Sequence, residues 1–141
     1  MVKTGKGKKI VAVLGYGSQG RALALNFRDS GYAVVIGLPP RSRSRRMARA
    51  DGFAPILRPG VAAAEAETVC LALPDHLHGQ AYEREIAGRL RPGSTLLFLH
   101  GLSVHFGLVS PPPDCNVILI APHAPGVAVR EKYLELSLIH I

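Results

Sequence analysis

The chain has 141 residues, 48% of them hydrophobic, and a formal net charge of +7. That length supports one core burying about two-thirds of the unfolded-chain surface, so a single domain is expected, and the apolar runs are strand-length blocks too short to cross a membrane. Two cysteines, Cys70 and Cys115, exclude a disulfide framework and show no metal-ligand spacing, and the basic start lacks the apolar stretch of an export signal; a cytoplasmic location is the expectation.

The first strand is predicted at residues 8–14, where Ile10-Val11-Ala12-Val13-Leu14 form an apolar block. It empties directly into Gly15-Tyr16-Gly17-Ser18-Gln19-Gly20, a G-x-G-x-x-G spacing. In a dinucleotide-binding turn Gly15 permits the sharp reversal, Gly17 lets bare backbone approach a pyrophosphate, and Gly20 lets the next helix pack close to the strand. The helix start then offers N–H groups and a favourable dipole to the anion. A glycine-rich turn of purely structural use is the alternative that this motif alone leaves open. The next helix is predicted over 19–29, ended by Gly31.

A second strand is predicted at 33–37, and the loop after it bears on the nucleotide. A strand in this position of an NAD site usually ends in Asp or Glu, which accepts from the adenosine ribose hydroxyls. Here no acidic residue occurs between Ser30 and Ala50, and the loop reads Arg41-Ser42-Arg43-Ser44-Arg45-Arg46. Hydroxyls and guanidinium groups together satisfy the charge and oxygens of a 2′-phosphate. NADP (as NADPH) is therefore the expected cofactor, with Ser42 and Ser44 as donors beside Arg41 or Arg43. A solvated basic loop capped at Ser44 is the plainer reading.

Helices at 44–50 and 61–66 and a weak strand at 53–56 precede a strand at 68–73, which ends in Pro74-Asp75-His76-Leu77-His78. A helix is predicted over 79–90, on Ala81, Tyr82, Ile86 and Leu90, with strands after it at 95–99 and 116–121. The last two are nearly continuous apolar runs, which predicts burial on both faces. Alternating strands and helices define an α/β fold, Rossmann-like and doubly wound, with a mostly parallel sheet and helices on both faces. Such a chain starts mid-sheet and returns to the other side of its first strand, so residues 74–78 should face the glycine turn across a crevice. The loops after residues 99 and 121 should open on the same edge, collecting His76, His78, His100 and His123. A zinc site among them would need three or four ligands, and no local spacing enforces that; no metal site is expected in this chain.

With these residues assembled, the chain resembles the N-terminal domain of ketol-acid reductoisomerase, the NADP-dependent enzyme of branched-chain amino-acid synthesis. The resemblance rests on Gly15 to Gly20, Asp29-Ser30-Gly31, the two-serine loop, Leu73-Pro74-Asp75, His100-Gly101, His105-Phe106-Gly107, Ala121-Pro122 and Pro125-Gly126. It implies cofactor contacts from Tyr16 to Gln19, from Ser42 and Ser44, from Asp75, His76, Leu77 and His78, and from Gly126, and an active-site role for His100. It also implies a metal-assisted alkyl shift in an acetohydroxy acid and then reduction with NADPH, two magnesium ions being held by a further helical domain. On this reading residues 1–135 form the NADP-binding domain, residues 136–141 are an atypical tail, and the helical domain is absent, so the chain binds cofactor without completing the reaction. Glu131 and Glu135, on a plausible helix, read as a solvated face and not as a metal pair. Homo-oligomers are expected of full-length relatives. Three residues depart from the family pattern: Pro39 where an arginine is common, His78 for a glutamine, and His123 for a lysine.

Two rivals stand beside this reading. One is another NADP-dependent dehydrogenase of the β-hydroxyacid type, against which the His100-Gly101 and Pro125-Gly126 blocks speak. The other is a basic nucleic-acid-binding module built on Arg41, Arg43, Arg45, Arg46 and Arg49; it lacks interleaved aromatic residues and any nucleic-acid motif, so neither a nucleic acid nor a membrane is expected as partner.

Overall fold

A computed structural model describes residues 7–139. Lys3 and Lys6 of the basic lead-in, and His140 at the other end, lie outside the described residues. The strands are β1 (Ile10–Leu14), β2 (Ala33–Gly37), β3 (Ile56–Leu57), β4 (Thr68–Leu71), β5 (Thr95–Phe98) and β6 (Asn116–Leu119). All pair in parallel in the order β3-β2-β1-β4-β5-β6. This is the Rossmann-like doubly wound arrangement, with β4 returning to the far side of β1 as the topology argument required.

Side-chain alternation explains the layering. Along β1, Val11 and Val13 join Ile36, Cys70 and Leu97 in one buried cluster, whereas Ala12 and Leu14 join Val35, Val69, Leu71, Leu96 and Phe98 in the other. Helices α1 (Ser18–Asp29) and α2 (Ser44–Ala50) supply Ala24 and Ala48 to the first cluster. Helix α3 (Pro59–Glu65) and the segment after α4 (Asp75–Ala81) supply Ala62, Ala63, Tyr82 and Ile86 to the second. The register sets Leu14 against both Gly37 and Leu71, and Leu71 against Phe98. The carboxyl ends of β2, β1, β4 and β5 are thus level, and their loops emerge side by side.

Three predicted features differ. The helix expected at 79–90 begins at Asp75, because Pro74 closes the preceding extended segment and Asp75 places a negative charge on the helix's first turn. After Ala81 it loosens into a π-turn at Tyr82–Ile86, which keeps Tyr82 and Ile86 on the core, and a 3₁₀ turn at Ala87–Arg89. The apolar run in β6 is not buried: Ile118 is 42% and Leu119 55% exposed. β6 is an edge strand paired only to β5, and among the described residues no helix covers it as α1 and α3 cover β1. Helix α5 (Leu102–His105) has no counterpart among the predicted elements, while α6 (Gly126–Ile139) contains the plausible helix around Glu131 and Glu135 and runs across the expected boundary after residue 135. It packs on α1, where Arg130 donates to Asn26 Oδ1 at 2.8 Å and to Asp29 Oδ2 at 2.5 Å.

Candidate functional site

At the carboxyl edge of the sheet lies a cleft of about 690 Å³. Its floor is the turn after β1. Gly15 has φ +105°, a conformation that disfavours any side chain, and a Cβ there would sit 2.5 Å from the Ala72 carbonyl oxygen. A Cβ on Gly20 would sit 2.6 Å from the Gly15 oxygen, so this glycine lets α1 approach the turn. Gly17 differs from both. Its φ is −78°, open to any residue, and a Cβ there would meet nothing within 4 Å. The fold itself therefore gives Gly17 no reason to lack a side chain. It stands on the cleft at the N-cap of α1, a helix with no side-chain cap and no acidic residue in its first turn, leaving its leading N–H groups for an anion.

Of the sequence-predicted residues, Gly15, Tyr16, Gly17, Ser18, Gln19, Ser42, Ser44, Asp75, Leu77, His78 and His100 all line this cleft. Gly20 is buried behind the turn and serves its packing instead. Arg41 and Arg43 are exposed on the serine loop but do not line the cleft. Neither do His76 and His123, both exposed, so the expected convergence of four histidines reduces to two. Gly126 lies outside the cleft: it packs against the backbone of Ser18, leaving no room for a Cβ, and lines a smaller cavity of about 380 Å³ that shares Tyr16, Gly17 and Ser18 with the cleft. Among the described residues no three His, Cys, Asp or Glu side chains come together to hold a metal ion.

The two cleft histidines have different environments. His78 is 1% exposed, its Nδ1 at 2.7 Å from Ser103 Oγ and its Nε2 at 2.8 Å from the Leu73 carbonyl oxygen. Both ring nitrogens are engaged, and the ring ties α4 to α5. The His100 side chain is 65% exposed at the mouth. Its Nδ1 accepts the Leu102 N–H at 3.2 Å, which assigns the ring proton to Nε2. Asp75 lies between them, 3.9 Å from His78 Nε2 and 4.0 Å from His100 Nδ1.

Gln19 carries a second sign of a ligand. Its Nε2 donates to the Ala124 carbonyl at 2.8 Å, while Oε1 is buried without a hydrogen-bond partner among the described residues. A dinucleotide brings hydroxyl and amide donors that meet such an acceptor.

Tyr16 and Asp51 form a contact that the sequence did not reveal. The Tyr16 hydroxyl donates to Asp51 Oδ2 at 2.8 Å across 35 residues of chain, and Arg21 donates to the same carboxylate through Nε at 2.7 Å and Nη2 at 3.0 Å. The arginine holds the Asp51 carboxyl below the usual carboxylate range, and burial pushes the Tyr16 hydroxyl far above the usual phenol range. The Tyr16 side chain is thus committed inward. Leu38, Pro39, Ala72, Leu73, Leu99 and Pro122 also line the cleft and were not predicted as site residues. The available signal was positional, since most lie just beyond the ends of β2, β4 and β5.

A cleft built in this way has close counterparts among known proteins. The family described as "Acetohydroxy acid isomeroreductase, NADPH-binding domain" matches residues 6–139. A ketol-acid reductoisomerase (NADP(+)) of Pyrobaculum arsenaticum is 47% identical over 127 residues, covering 90% of this chain and 38% of the relative. One from Xylella fastidiosa is 46% identical over 123 residues, covering 87% of this chain and 35% of the relative. Among solved structures, an NADH-preferring ketol-acid reductoisomerase from an uncultured archean superposes with a TM-score of 0.84 at 40% identity, covering 90% of this chain and 40% of that one. The chain thus spans well under half the length of these relatives. It belongs to the acetohydroxy acid isomeroreductase family, matching that family's NADPH-binding domain over nearly its whole length.

Proposed function

We propose that this chain binds NADPH across the carboxyl edge of its sheet as the nucleotide-binding part of an acetohydroxy-acid isomeroreductase. The pyrophosphate lies on the Gly15–Gly17 turn and the N-terminus of α1, and the 2′-phosphate on Ser42 and Ser44, with Arg41 and Arg43 supplying positive charge nearby. The observation that carries this reading is Gly17, where neither backbone nor neighbours forbid a side chain and which lines the cleft. The loop after β2 favours NADPH over NADH, since no carboxylate stands between Ser30 and Ala50 to accept ribose hydroxyls. When bound, NADPH supplies hydride for reducing the keto group of the rearranged substrate.

The remaining roles belong to side chains of this chain. His100, exposed at the cleft mouth with its proton on Nε2, can donate a hydrogen bond that orients a substrate oxygen. His78, buried and doubly bonded, orients the start of α4 beneath the nucleotide. The described residues do not gather a magnesium centre, so alkyl migration on the acetohydroxy acid, and any homo-oligomeric assembly, are proposed for the longer protein represented by the relatives.

Replacing Ser42 and Ser44 together by Asp tests the cofactor assignment. Each charge-assisted hydrogen bond contributes about 1.5–3 kcal/mol, so NADPH affinity should fall by about a hundredfold or more. NADH affinity should change little in the same fluorescence titration. Equal losses for both nucleotides would refute the assignment.

A further inference from the structure

The basic run 41–49 has one member whose charge faces neither the cleft nor open solvent. Arg45 is half-buried, and its guanidinium donates through Nη1 to the Leu38 carbonyl at 2.9 Å and through Nη2 to the Ile56 carbonyl at 2.8 Å. Leu38 is the first residue after β2, is 2% exposed and lines the cleft; Ile56 begins the edge strand β3. The intervening backbone closes on itself in two turns, Ser42 N–H to the Pro39 carbonyl at 3.0 Å and Arg45 N–H to the Ser42 carbonyl at 3.3 Å. Leu38 N–H also donates to the Leu57 carbonyl at 2.9 Å. Ser42 and Ser44 therefore sit in a loop whose entry and exit are joined by one side chain. Helix α2, which carries Ser44, buries only Ala48 in the core, so apolar packing alone leaves the position of the serines loosely determined.

We infer that Arg45 is a positioning residue for cofactor selectivity: from the end of the 38–45 loop its planar fork ties the loop's start at Leu38 to β3 at Ile56 and so holds the Ser42 and Ser44 hydroxyls where a 2′-phosphate is read. Arg45 is not itself a phosphate ligand on this account, because its Nη1 and Nη2 are turned to two backbone carbonyls and it does not line the cleft. A lysine keeps the charge but, as a compact point donor on a flexible stem, does not span two carbonyls as a rigid fork does. This inference rests on the NADPH reading above.

The test titrates the full chain and its Arg45→Lys and Arg45→Ala variants with NADPH and with NADH, with thermal melts run beside them. Both variants should lose NADPH affinity by about tenfold, the scale of one displaced charge-assisted bond, and keep NADH affinity within about twofold. In a Ser42→Ala/Ser44→Ala background, Arg45→Ala should remove nothing further from NADPH binding. Full NADPH affinity in Arg45→Lys would overturn the inference by showing that charge alone matters. So would parallel losses for both nucleotides, which would mark a general structural role. If Arg45→Ala does not fold, Arg45→Lys alone decides. A wild-type chain that binds NADPH no better than NADH would instead overturn the cofactor reading from which the inference starts.

Discussion

Three glycines of one motif do three different jobs, and side-chain geometry separates them. Gly15 answers to its own backbone and to the Ala72 carbonyl, Gly20 to the Gly15 carbonyl, and Gly17 to nothing within the protein. Gly15→Ala should therefore cost about 2–4 kcal/mol of stability, read by denaturant unfolding. Gly17→Ala should leave stability within about 0.5 kcal/mol and still weaken NADPH binding by about tenfold or more. A loss of stability in Gly17→Ala comparable to that of Gly15→Ala would remove the argument that this position is shaped for a ligand. The glycine turn was legible because its steric logic is local, confined to consecutive residues after a strand. The state of His78 was not: its partner Ser103 lies 25 residues away, and nothing near His78 in sequence distinguishes a buried, doubly bonded ring from one facing a nucleotide. The same distance problem hid Asp51 from Tyr16 and left Arg45 as one more basic residue in a run of them.

At the scale of elements, the bolt between α1, α2 and the glycine turn is the Asp51 carboxylate. Its folded value is depressed, with the Arg21 hydrogen bond the first cause and burial opposing it. A depressed carboxylate contributes stability that is fully present above the unfolded value, about 4, and is lost as pH falls through the folded value. Asp51→Asn should lower stability by about 1 kcal/mol at pH 7, a modest figure because the Arg21 side chain is 46% exposed. That corresponds to roughly 3 °C in melting temperature, and the gap between the two proteins should close as the pH is taken below 4. A gap that stays constant down to pH 3 would mean that the carboxylate's charge contributes nothing. Among the elements themselves, Ala33–Gly37 and Ser44–Ala50 occur at their predicted bounds, each flanked by strong breakers. The β5 and β6 runs look alike as sequence, yet Leu97 is 1% exposed and Leu119 55%. Apolar composition states a preference for burial, while the position of a strand in the sheet decides whether a partner exists to satisfy it. Helix α6 was legible only around Glu131 and Glu135 because its apolar and polar residues show almost no helical segregation, and its contacts with α1 include the Arg130 hydrogen bonds and the close approach of Gly126 to Ser18.

For the whole molecule, strand order was the most legible property and the one with most functional content. Alternating elements imply parallel crossovers, the return past β1 implies a crevice, and the crevice implies where the glycine turn, the serine loop, Asp75 and His100 should meet; those residues do line one cleft. What topology does not specify is which side chains on converging loops face inward, so Arg41, Arg43, His76, His123 and Gly126 fall outside its lining. The central claim is that the cleft holds a nucleotide whose 2′-phosphate rests on the serine loop. Amide resonances monitored during parallel titrations with NADPH and NADH test it most directly. With NADPH, shifts should concentrate at Gly15 to Gly20, Ser42 to Ser44, Asp75 to Leu77 and His100, and with NADH the same set should move except Ser42 to Ser44. An unmoved glycine turn at saturating NADPH, or shifts confined to the arginine-rich run, would contradict the account.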